Sequence, residues 1–106
     1  MNIQRIIPLV IFFSFSSGVN AASFMVEQKD KAFSKSALKV KVGDKIEFKN
    51  LDPFNHNIFS LSDTQLFDLG SYPKGESRTV TFEKPGIVEI ECAIHPAMKL
   101  SVEVSQ

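Results

Sequence analysis

Ile87-Val88-Glu89-Ile90-Glu91-Cys92-Ala93-Ile94-His95-Pro96-Ala97-Met98 is a strand that runs out into a loop. From Ile87 to Cys92 apolar and acidic residues alternate, the period of a half-buried β-strand. Val88, Ile90 and Cys92 therefore share one face. If Val88 and Ile90 face a core, the Cys92 sulfur points into the interior end of a sandwich. The alternation then stops, and Pro96 stiffens the arm from His95 to Met98. A thiol, an imidazole and a thioether thus follow one another at positions 92, 95 and 98.

Outward from this stretch the same period recurs. Leu38-Lys39-Val40-Lys41-Val42 alternates apolar and basic residues, and Gly43-Asp44 turns the chain into Ile46-Glu47-Phe48-Lys49. Arg78-Thr79-Val80-Thr81-Phe82 precedes a Pro85-Gly86 turn, and Leu100-Ser101-Val102-Glu103-Val104 closes the chain. Phe24-Met25-Val26-Glu27-Gln28 reads as a first strand and His56-Asn57-Ile58-Phe59-Ser60 as another, after the loop Asn50-Leu51-Asp52-Pro53. The segment 61–77 is broken by Asp63, Asp68, Gly70, Pro73 and Gly75. About seven short strands separated by turns predict a small all-β Greek-key fold, a sandwich or a barrel, and the sandwich is the expectation. There is no long amphipathic helix, repeat or linker, so residues 22–106 are expected to form a single domain.

Residues 1–21 read as a signal peptide: Arg5 is the lone charge of a short leader, and Ile6 to Phe15 is its apolar run. Val19 and Ala21 fit cleavage after Ala21, and the run is about half the ~20 residues that span a bilayer. Export to the periplasm is therefore expected, with no stable membrane insertion of the mature chain. Removing Arg5 leaves 11 basic against 12 acidic residues, a balance that excludes nucleic-acid binding through a general basic field. Lys39, Lys41, Lys45 and Lys49, like Glu89 and Glu91, read as solvated strand faces, and Met25, Tyr72 and the phenylalanines as packing residues.

The chain has one cysteine, so it makes no internal disulfide, and a lone exported thiol is a liability unless something occupies it. Its two histidines are His56 and His95. Two His, one Cys and one Met make the ligand set of a trigonal copper site with a weak axial thioether. Thiolate binds copper in both oxidation states, imidazole suits Cu(II), and a distant thioether helps set the potential.

These residues resemble the cupredoxins, the small type 1 blue copper proteins. The likeness spans Leu38 to Asn50, the pair His56-Asn57, and Cys92-x-x-His95-x-x-Met98. The short spacing looks most like the amicyanin branch, and the whole pattern looks like small periplasmic proteins labelled methylamine-utilisation or plastocyanin-like. The resemblance implies His56, Cys92 and His95 as equatorial copper ligands, Met98 as the axial one, and Asn57 as a brace for the ligand loop. It implies an electron carrier and not an enzyme, a monomer that docks transient redox partners near His95 beside Pro53 and Phe54. The proline usual after the early phenylalanine is missing at Phe33-Ser34-Lys35. A copper carrier or tolerance protein is the alternative, which two histidines and two methionines in the mature chain do not favour. A Cys92–His95 hydrolytic pair lacks an evident orienting residue. Structural zinc wants four good donors and finds three.

Overall fold

The computed structural model describes residues 21–106. The signal-peptide expectation falls on residues that lie, apart from Ala21, outside those described. Among the described residues nine strands form: β1 (Ser23–Lys29), β2 (Ala32–Phe33), β3 (Ala37–Lys41), β4 (Lys45–Asn50), β5 (His56–Ser60), β6 (Phe67–Tyr72), β7 (Ser77–Thr81), β8 (Gly86–Glu91) and β9 (Lys99–Ser105). They build two sheets, one ordered β2-β1-β4-β7 and the other β3-β9-β8-β5-β6. The β1–β4 and β3–β9 pairs are parallel, while the other paired strands are antiparallel. No helix among the described residues is long and apolar enough to cross a membrane.

The alternation read in the sequence becomes burial. In β4 Ile46, Phe48 and Asn50 face inward, and in β8 Val88 and Ile90 do, with Cys92 following on the same side. Val26, Val40, Ile58, Tyr72, Val80, Phe82, Leu100, Val102 and Val104 complete the core between the sheets. Each of the seven expected strands is present, to within a residue or two at its ends. Two were not expected. β2 is two residues long and too short to show a period. β6 contains Asp68 and Gly70, where Asp68 Oδ1 accepts the Gly70 N–H at 2.9 Å, and it pairs with β5 across a register shift between Asn57 and Phe59. Breaker residues here shape a bulged edge strand without ending it.

Met25 corrects a sequence expectation. It is 46% exposed, because β1 turns Val26 and Gln28 inward and the side chain between them must point out. Gln28 instead reaches across the sandwich, where its Oε1 accepts the hydroxyl proton of buried Tyr72. The Arg78 guanidinium lies 4.8 Å above the Tyr72 ring. Burial raises the Tyr72 pKa well above that of an ordinary phenol, so the bond between the two sheets keeps its proton.

The turn into β4 is held by Asp44, whose carboxylate accepts the N–H of Ala22 at 2.8 Å and of Lys41 at 2.8 Å. The Lys41 and Ala22 N–H groups lower its pKa despite burial. A carboxylate whose folded pKa lies below its unfolded value stabilises the fold above the unfolded value, about 3.9, and loses that contribution as pH falls toward the folded one. Asp44→Asn is therefore expected to cost about 1–3 kcal/mol at pH 7. The gap between variant and wild type should narrow in denaturant melts as pH falls below about 3.9.

Candidate metal centre

His56 opens β5, and Cys92 is the first residue beyond β8. His95 and Met98 sit on the loop from β8 to β9, which the Met98 N–H closes by donating to the His95 carbonyl at 2.9 Å. The strand ends lie side by side because β5 and β8 pair antiparallel, Phe59 opposite Glu91 and Ser60 opposite Ile90. One donor atom each from His56, Cys92 and His95 falls within 4.8 Å of the others. Cys92 Sγ is 3.7 Å from His56 Nδ1, and both residues are buried. Met98, the fourth residue expected here, is buried at the end of the same loop.

The orientation of His56 follows from its other nitrogen. Nε2 is 2.7 Å from Asp52 Oδ2, and an ionised carboxylate only accepts, so Nε2 carries the proton. That leaves the Nδ1 lone pair facing the Cys92 sulfur. Burial raises the Asp52 pKa, but the hydrogen bonds from His56 and from the Lys31 and Asp30 N–H groups outweigh it and keep the carboxyl below its ordinary value. His95 is half-buried, and its Nδ1 is buried with no hydrogen-bond partner among the described residues. Desolvation, with His56 and Lys31 nearby, lowers the His95 pKa and favours the neutral ring a metal needs.

The donors fit a copper ion. A buried thiol, an imidazole lone pair aimed at it, and a second buried imidazole nitrogen without a partner converge where a cation would satisfy all three. Asn57 supplies the expected brace: its Oδ1 accepts the Ala93 N–H at 2.7 Å, tying β5 to the ligand loop. Phe54 covers the pair of imidazoles, its ring centroid 5.2 Å from each, and the two imidazole centroids are 5.0 Å apart. Pro53, Pro96, Ala97 and Ile94 are exposed around the His95 edge, and Ile94 is 51% exposed.

Three contributors were missed in the sequence. Asn50 shapes the loop before His56: its Oδ1 accepts the Asp52 N–H at 2.8 Å and its Nδ2 donates to the carbonyls of Phe54 and Tyr72. Asp52 read there as a loop residue, although Asn-x-Asp ahead of proline is a turn signal that could have flagged it. The β1–β2 hairpin also reaches the site, where Lys31 Nζ lies 5.9 Å from the Phe54 ring centroid.

Comparison with known proteins agrees with this geometry. Residues 20–105 match the sequence profile of the copper-binding proteins of the plastocyanin/azurin family. The methylamine utilization protein MauL of Methylorubrum extorquens is 32% identical over 69 residues, which are 64% of this chain and 60% of that protein. A copper(I) amicyanin variant superposes with a TM-score of 0.73 at 22% identity, covering 78% of this chain and 82% of amicyanin. The copper-containing nitrite reductase of Thermus scotoductus SA-01 superposes with a TM-score of 0.73 at 27% identity, covering 79% of this chain but 22% of that enzyme. With its two-sheet cupredoxin fold and a family match across nearly all the described residues, the chain belongs to the plastocyanin/azurin family of copper-binding proteins.

Proposed function

We propose that this chain is an exported, monomeric electron carrier whose single type 1 copper is held by His56, Cys92, His95 and Met98. Bound there, copper supplies a one-electron Cu(II)/Cu(I) couple. The protein supplies the rest. Cys92 offers a soft thiolate from a strand end, His56 is held in one tautomer by Asp52, and Asn57 anchors the loop that presents His95. Donors fixed on strand ends and on a braced loop change little between oxidation states, which keeps the reorganisation cost of electron transfer low. The His95 edge, framed by Pro53, Phe54, Ile94 and Pro96, is the weak docking face for transient redox proteins. The observation that carries the reading is the convergence of the three donors within 4.8 Å at one end of the sandwich.

The domain is proposed to be residues 22–106, after a leader of residues 1–21, in the periplasm. The ties of Ala22 support this start: its N–H donates to Asp44, and its carbonyl accepts the Lys45 N–H at 3.0 Å. A non-enzymatic role is supported by the match of residues 20–105 to the copper-binding proteins of the plastocyanin/azurin family.

The test is to add one equivalent of Cu(II) to the purified protein and record visible and electron paramagnetic resonance spectra. An intense thiolate-to-copper band with narrow hyperfine splitting is expected. Weak absorption with ordinary splitting, or rapid loss of copper to a chelator, would replace this reading with a copper carrier. Met98→Gln is expected to keep a copper site but lower its reduction potential, because a harder axial donor favours Cu(II). An unchanged potential would remove Met98 from the ligands.

A further inference from the structure

The Asp52 carboxylate is shared by three donors from both sheets. Oδ1 accepts the Asp30 N–H at 2.7 Å, while Oδ2 accepts the Lys31 N–H at 3.0 Å and the His56 Nε2–H at 2.7 Å. Asp30 and Lys31 are the two turn residues of the β1–β2 hairpin, with φ of 55° and 59°. Side chains other than glycine rarely adopt this left-handed conformation, and among the described residues the Lys31 side chain makes no hydrogen bond that would favour it. What the turn gains is a pair of adjacent N–H groups aimed at one buried carboxylate. The hairpin belongs to the β2-β1-β4-β7 sheet and His56 to the other, so Asp52 joins the sheets at the metal end.

We propose that Asp52 is a positioning residue of the copper centre, which fixes the His56 ring with Nδ1 free and biases the site toward Cu(II). The inference rests on His56 being a ligand, as proposed above. A hydrogen bond from Nε2–H to a carboxylate makes the imidazole a stronger donor through Nδ1. A negative charge buried one ring away from the metal also stabilises the more highly charged ion. Both effects act more strongly on Cu(II) than on Cu(I). The hairpin amides keep the carboxylate in place when the site is empty, so the ring is oriented before metal arrives. Leu51 supports the loop from the same side, its N–H donating to the Gln28 carbonyl of β1 at 2.8 Å.

The experiment compares wild type, Asp52→Asn and Asp52→Glu by chelator competition for Cu(II) and Cu(I), by reduction potential, and by nitrogen NMR of the His56 ring in the copper-free protein. Asp52→Asn is expected to lower Cu(II) affinity by about 10–100-fold. Cu(I) affinity should fall about tenfold less, so the potential rises by about 59 mV for each tenfold change in the affinity ratio. Asp52→Glu should recover part of the Cu(II) preference. The wild-type ring should carry its proton on Nε2 without metal, and the Asn variant should show a mixture of tautomers. Because Asp52 also holds the hairpin, the variants are repeated with Asp30→Asn and Lys31→Gly, a pair that favours the left-handed turn unaided. An unchanged affinity ratio, equal losses for both oxidation states, or a wild-type ring protonated on Nδ1 would overturn the proposal. If the wild type forms no thiolate–copper band, the ligand assignment itself fails and takes this role with it. If it forms the band and the ratio does not move, the role of Asp52 alone fails.

Discussion

Cys92→Ser is expected to abolish the intense visible band and reversible redox cycling while leaving a folded sandwich. The band needs a thiolate bonded to Cu(II), and Cys92 is the only cysteine in the chain, so no other residue can replace it. A serine hydroxyl at this position is a hard, weakly acidic donor that does not bind Cu(I) as a thiolate does. The cost to the fold is set by placing a hydroxyl in the 1% exposed position of Cys92, about 1–3 kcal/mol, reduced if His56 Nδ1 accepts its proton. Circular dichroism of the copper-free variant should match the wild type. Paramagnetic resonance should show ordinary copper splitting where any Cu(II) binds. A surviving intense band would mean that the chromophore does not involve Cys92.

Phe48→Ala is expected to be the most damaging core substitution, at about 3–5 kcal/mol. Phe48 is fully buried in β4, between Val26 of β1 and Arg78 of β7, and its ring meets Phe33 edge-on at 5.9 Å. Removing it leaves a cavity next to a two-residue strand that has few other anchors. A domain of this size has roughly 4–13 kcal/mol of stability in total. The variant should therefore be marginal without copper and recover when copper is added, since a ligand that binds only the folded state shifts the equilibrium toward it. Urea melts with and without one equivalent of Cu(II) check both parts. A copper-free midpoint within error of wild type would show that the core closes over the gap.

The relation of Phe33 to β1 also answers the missing proline at Phe33-Ser34-Lys35. Phe33 pairs with Gln28, and the Ser34 N–H donates to the Glu27 carbonyl at 2.8 Å. A proline in place of Ser34 would have no N–H for that bond.

The strands with strict alternation were legible because a period of two is a local property: Leu38 to Val42, Ile46 to Lys49 and Ile87 to Cys92 each carry their own evidence of one buried face. Nothing local announces β2, whose two residues take strand form only by pairing with β1, or β6, where Asp68 and Gly70 read as breakers. Met25 shows the limit of composition. A methionine in an apolar strand looks like core until the inward phase is fixed, and here Val26 and Gln28 fix it. The candidate metal residues were legible for another reason. Thiol, imidazole and thioether are rare in this chain, and their spacing from one strand end leaves few alternatives.

By itself the sequence determined the strand alternation, the all-β class and which rare side chains could bind copper, because these depend on residue type and near-neighbour spacing. Only the tertiary structure decided which nitrogen of His56 faces Cys92, that Asp52 and the Asp30–Lys31 turn set that orientation, and that Gln28 meets Tyr72 across the sandwich. Those contacts join residues 21 to 44 positions apart, or hang on the path of a loop. Hydrogen-bond geometry of that kind exists only once both sheets have packed and brought their ends together.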